Sequence, residues 1–173
     1  KRGQTWGYEV ILPAGFDYAE AEGPKHNWAY WAAKGVRLAQ GGTPNGTEAL
    51  EEATILLPQG ANGPAFLALP NHYVIRRYNN SVSYALAIGL TADGIMGKPG
   101  LTKAWPNDPS MSRDQRIGAQ RALTRLGYDT QGVDGVIGTN TRAALRRWQI
   151  ANGRIADGYL TAALADELIR KAG

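Results

Sequence analysis

The sequence predicts an α+β chain: a small, mainly antiparallel β-sheet region with short helices, followed by a three-helix module. Three observations carry this reading. Short apolar, β-branched or aromatic runs bounded by Pro, Gly and Asn fill most of residues 1–95. A stretch dense in Gly, Pro, Ser and Asn follows, with Pro99, Pro106 and Pro109 barring regular structure. From Ser112 onward, apolar residues recur at helical spacing. The expected organisation is therefore a first region over 1–95, a linker over 96–111 and a second domain over 112–173.

The first strand is WGYEVIL, which begins almost at once at Trp6. Residues 26–34 place Trp28 and Trp31 one turn apart with Gly35 at the stop, so a short helix is expected there. Both tryptophans read as core in preference to a sugar platform, because large aromatics mostly bury apolar area. The runs ATILLP, PAFLAL and YVIRRY supply the remaining strands, and PQGANGP between the first two suits a hairpin connection. In RYNNSVSYALAIGLTAD, Asn79, Asn80 or Ser81 can cap a helix that sets Tyr84, Ala85, Ile88 and Ala92 on one stripe. Its small residues Ala85, Gly89 and Ala92 permit close approach of a neighbour. The expected neighbour is a larger helical body or a second copy of the chain, or else the segment around Trp105 folds back to fill the gap.

Ser112 opens S-R-D-Q, a capping box in which Gln115 reaches back to the Ser112 amide. Gly127 closes that helix. In the turn that follows, Gly132, Gly135 and Gly138 can take positive φ, and Asp134 can bond its own backbone two residues on. Thr139 is the expected N-cap of the next helix, whose buried face is Thr141, Ala144, Leu145 and Trp148, with Arg142, Arg146 and Arg147 on the other. ADGYLTAAL at residues 156–164 repeats the Asp-Gly turn, a Thr cap and an Ala-Leu face.

Composition narrows the function classes. With 173 residues and 43% hydrophobic content, the chain can bury a real core. There is no cysteine, which removes disulfide frameworks and thiolate metal sites, and His26 and His72 are too isolated to suggest a metal. No apolar run approaches the ~18 residues of a membrane span. The formal charge of +4 is spread as 9 basic and 8 acidic groups before residue 106 and 10 and 7 after it. Three arginines among Asp129, Asp134 and Asp157 make a weak basic stripe, so a nucleic-acid reader is the least favoured reading and no nucleic-acid partner is expected.

The ordered set Gln120, Leu123, Leu126, Gly127, Tyr128, Asp134, Gly135, Gly138, Thr141, Ala144, Trp148, Gln149, Gly153, Asp157 and Gly158 resembles the three-helix peptidoglycan-binding domain at the ends of many bacterial wall enzymes. Arg116 and Gly118 depart from that pattern in a way that weakens the first helix. The resemblance makes Tyr128, Asp134, Gly135, Gly138, Thr141, Trp148, Gln149, Asp157 and Gly158 the motif of a peptidoglycan-binding module. Residues 1–95, through GYEVILPAGFDY, LLPQGANGPAFLALPNHYVIRRYN and the YN.S..YA pattern, resemble the C-terminal part of the membrane-bound lytic transglycosylase B family.

That second resemblance implies cleavage of the bond between N-acetylmuramic acid (MurNAc) and N-acetylglucosamine (GlcNAc) without water, leaving a 1,6-anhydro ring. The family uses one Glu in an E-S-x-[FY]-G motif, first as acid and then as base, in a cleft that raises its pKa. No such motif occurs in this sequence. The resemblance therefore places the catalytic Glu upstream and leaves no catalytic residue in this chain. By position, Tyr78, Asn79 and Tyr84 correspond to residues lining the family's glycan cleft. Neither cofactor nor metal is implied. The expected partner is peptidoglycan glycan strands, and the expected location is the periplasm of a Gram-negative bacterium, in association with the outer membrane. The alternative is a complete, non-catalytic wall-binding or scaffold protein.

Overall fold

ATILLP and PAFLAL are apolar at nearly every position because both faces of the sheet they form are covered. In the computed structural model, which describes residues 1–173, β1 (Gly7–Ile11), β2 (Arg37–Leu38), β3 (Thr54–Leu56) and β4 (Ala65–Ala68) form one antiparallel sheet in the order β2-β1-β4-β3. β3 and β4 make the expected hairpin, with Thr54 opposite Ala68 and Leu56 opposite Phe66. β2 escapes the sequence reading because two residues are too few to show a period. The chain folds as two units, Lys1–Trp105 and Pro106–Gly173.

One face of the sheet presents Val10, Ile55, Ala65 and Leu67 to Phe16, Trp31 and Val36. Trp31 lies on α1 (Trp28–Ala33), is fully buried, and donates its indole N–H to the Ala53 carbonyl at 3.1 Å. Trp28 is half-buried against the same cluster. The other face presents Leu56, Phe66 and Ala68 to Trp6 and Leu86.

The run YVIRRY is a helix and not a strand: it belongs to α2 (Pro70–Tyr78). Pro70 sits in the first turn, where its fixed φ favours a helix. Burial of His72 and packing of Tyr73 and Ile75 against the second face outweigh the β preference of Val74 and Ile75. Helix α3 (Val82–Ile95) is capped by Ser81, whose Oγ accepts from the Tyr84 amide at 3.2 Å. Its buried stripe is Ala85, Leu86 and Gly89, whereas Ile88 and Ala92 are exposed. The helix is thus rotated from the expected stripe, and the reason is Trp6. A Cβ at Gly89 would stand 2.5–2.7 Å from the Trp6 indole. The small face at Ala85 and Gly89 is covered by its own unit, which removes the argument that it needs another body or a second copy.

Part of the expected linker also belongs to the first unit. Glu9 accepts from the Thr102 and Lys103 amides at 2.7 and 3.0 Å, Lys103 Nζ donates to the Ala61 carbonyl at 2.9 Å, and the Trp105 ring lies 5.9 Å from Phe66.

His72 is fully buried near Trp6 and Tyr73, and neither ring nitrogen has a hydrogen-bond partner. Burial, helped by the nearby Arg76 charge, pushes its pKa down to about 4. An unfolded chain binds this proton near the ordinary value of about 6.5. Between those values the unfolded state holds more protons, so stability is present above pH ~6.5 and is lost as pH falls toward ~4. The loss expected is on the order of 2–3 kcal/mol. Urea midpoints of the first unit at pH 7, 5.5 and 4 measure it, and His72→Phe should flatten the dependence.

The second unit packs α4 (Arg113–Arg125), α5 (Thr139–Ala151) and α6 (Ala162–Lys171) around Leu123, Leu145, Trp148, Leu160 and Leu168. The Ser112–Gln115 capping box forms. The two departures in α4 have structural uses. Gly118 leaves room for Ile169 of α6, whose Cδ1 would lie 2.7 Å from an added Cβ, and Arg116 bonds the Gly135 and Met111 carbonyls at 2.7 Å each. Three expectations are corrected. Gly138 and not Thr139 is the N-cap of α5, Gly138 has φ −90° and so needs no left-handed backbone, and Arg142 and Arg146 are half-buried instead of solvated. The last follows from the second Asp-Gly turn, since an added Cβ at Gly158 would meet Arg146 Nε at 2.9 Å and the Arg142 carbonyl at 3.0 Å.

Candidate functional site

Two places gather the residues that the sequence singles out. The first is the corner between α2 and α3. Tyr78 is the last residue of α2 and 87% exposed, Asn79 is its exposed C-cap, and Tyr84 lies in the first turn of α3. The turn is fixed from within: Ser81 N–H donates to the Asn79 carbonyl at 2.7 Å and Arg76 donates to Asn80 Oδ1 at 2.8 Å. It brings the two phenol rings together, with centroids 6.2 Å apart and planes 24° from parallel. Exposed Tyr78, stacked on half-buried Tyr84 beside the exposed Asn79 side chain, offers an apolar face and hydrogen-bonding tips to a ligand. Ser81 Oγ is occupied in capping, which leaves it no role as a nucleophile.

Glu20, Glu48 and Glu51 of the first unit are held in structural contacts. Glu48 is buried, accepts from the Thr5 amide at 2.6 Å, and is bonded by the Tyr8 hydroxyl. Tyr8 is pushed up to about 12, by burial first and then by Glu48. The Lys34 ammonium holds Glu20 below the usual carboxylate range, and Lys1 does the same for Glu51. A general acid working near neutral pH needs the opposite displacement.

The second place is the pair of Asp-Gly turns in the second unit, each latched by a buried glutamine. Gln120 Nε2 donates to Asp134 Oδ1, the Val136 carbonyl and Thr141 Oγ1 at 3.1 Å each, while its Oε1 accepts from the Asp134 and Gly135 amides at 3.1 and 2.8 Å. Gln149 repeats this: Nε2 donates to Asp157 Oδ1 and Oε1 accepts from the Gly158 amide, at 2.9 Å each. Each Asp also accepts from the amide two residues on, Val136 at 2.8 Å and Tyr159 at 3.0 Å. The Val136 amide and then Gln120 hold the Asp134 carboxyl below its usual range. Asp134, Gly135, Thr141, Gln149, Asp157 and Gly158 are therefore joined in the architecture of the turns. Trp148 is buried, with Arg154 and Lys171 over its ring, and Tyr128 is half-buried against the same core. The latching roles of Gln120 and Gln149 are not legible in the sequence pattern. The signal for Gln120 is an amide on the apolar side of α4, beside Ala119 and Leu123.

The first latched turn borders a polar hollow of about 290 Å³ lined by Thr130, Gln131, Asp134, Thr139 and Asn140. No group of three or more His, Cys, Asp or Glu residues gathers to hold a metal. No helix is long and apolar enough to cross a membrane.

Residues 1–93 match the family described as the transglycosylase SLT domain, and residues 112–168 match the peptidoglycan binding domain. The chain belongs to the transglycosylase SLT domain family. Two solved structures of SltB3 from Pseudomonas aeruginosa are similar to this SLT-domain chain, in complex with NAG-anhNAM-pentapeptide at 48% identity and with NAG-NAM-pentapeptide at 49%. Each aligns over 96% of this chain with a TM-score of 0.90, and the chain spans 45% of theirs. No curated protein matches. The fold is α+β, as the sequence predicts.

Proposed function

We propose that this chain is the C-terminal, glycan-holding part of a lytic murein transglycosylase of the membrane-bound lytic transglycosylase B type, working at the outer membrane of a Gram-negative bacterium. The observation that carries the reading is the stack of exposed Tyr78 on half-buried Tyr84 beside Asn79, in a chain whose two matched regions concern the same polymer. On this reading the corner contacts the glycan while residues 112–173 hold the wall, with 106–111 joining the two parts. The acid that protonates the leaving oxygen, and then takes the proton of the C6 hydroxyl, lies outside the chain.

Purified sacculi test both halves. The chain should sediment with them, and Tyr78→Ala with Tyr84→Ala should weaken retention without lowering the melting temperature. A digest should release no anhydromuropeptides above a protein-free control by mass spectrometry. Release of anhydro products would place a working acid within the chain, and a chain left in the supernatant would remove the wall-binding reading. Retention that survives rising salt also separates a glycan ligand from nucleic acid, whose affinity falls steeply.

A further inference from the structure

The first unit holds a cavity of about 560 Å³ that involves neither the tyrosine corner nor the latched turns. Its size is that of a small-ligand site, typically about 300–1,000 Å³. Trp6, Phe66, Leu90 and Leu101 give it an apolar lining, and Trp105, 42% exposed, adds a further aromatic wall. Gln40, Thr43 and Asn45 on an exposed loop supply amide and hydroxyl groups along one side, and the Asn45 side chain caps no helix.

The charges in the wall are already matched. Asp93 accepts from the Trp6 indole at 2.8 Å and pairs with Lys98 at 2.7 Å, while Glu9 is taken up by the Thr102 and Lys103 amides. A charged ligand would have to break one of these pairs and strand its partner, which is costly. A neutral ligand with an apolar face and a rim of hydroxyl and amide groups meets no such cost. We infer that this cavity binds a neutral N-acetylhexosamine, the N-acetylglucosamine unit of a glycan strand, stacked on Trp105 with its polar edge toward Gln40, Thr43 and Asn45. MurNAc residues, with their lactyl carboxylate or peptide, fit the balanced wall less well. The ligand class rests on the peptidoglycan reading above.

Gly94 makes the test clean. It lines the cavity from within α3, and a Cβ there meets nothing within 4 Å, so Gly94→Leu fills the space while favouring the helix. The whole chain is titrated with tri-N-acetylchitotriose and followed by NMR. Saturable shifts are expected at the Trp105 indole N–H and at the Gly94 and Gly100 amides. Gly94→Leu should abolish them with no drop in melting temperature, and Trp105→Ala should weaken binding about tenfold. Sacculus retention by the same protein is measured alongside. No saturable shift at these resonances, or shifts that persist in Gly94→Leu, would overturn the inference. If sacculi still retain the chain in that case, the peptidoglycan reading survives; loss of both removes the two together.

Discussion

Trp148→Ala unfolds the second unit while leaving the first intact. The indole is 2% exposed at the centre of the cluster formed by Leu123, Leu145, Leu160 and Leu168. Truncating a buried aromatic to Ala typically costs ~3–5 kcal/mol, through lost transfer energy and the cavity left behind. A unit of this length holds about 3–10 kcal/mol in all. The variant also removes the surface on which Arg154 and Lys171 lie, at 5.1 and 5.4 Å from the ring centre. Amide resonances of Ala119, Leu123 and Leu168 should collapse to random-coil dispersion while those of Ile55, Phe66 and Leu67 hold their positions. A cooperative transition retained by the second unit would show that its core closes around the gap.

Gly89→Ala dislodges α3 from the sheet, although alanine is the better helix former by about 1 kcal/mol. The added methyl would stand 2.5–2.7 Å from three atoms of the Trp6 ring. That ring cannot swing aside freely, because its N–H is bonded to Asp93 at 2.8 Å and it packs on Phe66 at 5.7 Å between centroids. Overpacking of this kind costs ~1–3 kcal/mol. Denaturant melts should show the loss, and hydrogen exchange should locate it at Ala85, Leu86 and Leu90, with the β1–β4 pairing still protected. A stabilised variant would mean that Trp6 has room to move and that the contact is loose.

Much of this fold is legible in the sequence, and the parts that are not share a cause. The second unit was readable almost residue by residue because its signals are local. A capping box spans four residues, an Asp turn three, and the face of α5 repeats within one helix. The α1 helix and the β3–β4 hairpin were readable for the same reason. YVIRRY was misread because a six-residue window favours a strand, whereas Pro70 before it and burial of His72 decide for a helix. The Tyr78–Asn79–Tyr84 set could be named from its pattern, but not the ring stacking that joins its two phenols across a turn.

By itself, then, the sequence determined the α+β class, the order and caps of most helices, and the set of residues worth watching, since each of these depends on neighbours within a few positions. Tertiary structure alone decided that α3 turns Gly89 and not Ile88 inward, that Thr102 and Lys103 fasten to Glu9, and that Gln120 and Gln149 latch the Asp-Gly turns. Each of those outcomes rests on partners 8 to 94 positions away in the chain. A buried amide or an indole settles against whichever group the fold delivers to it, and no local period records that choice.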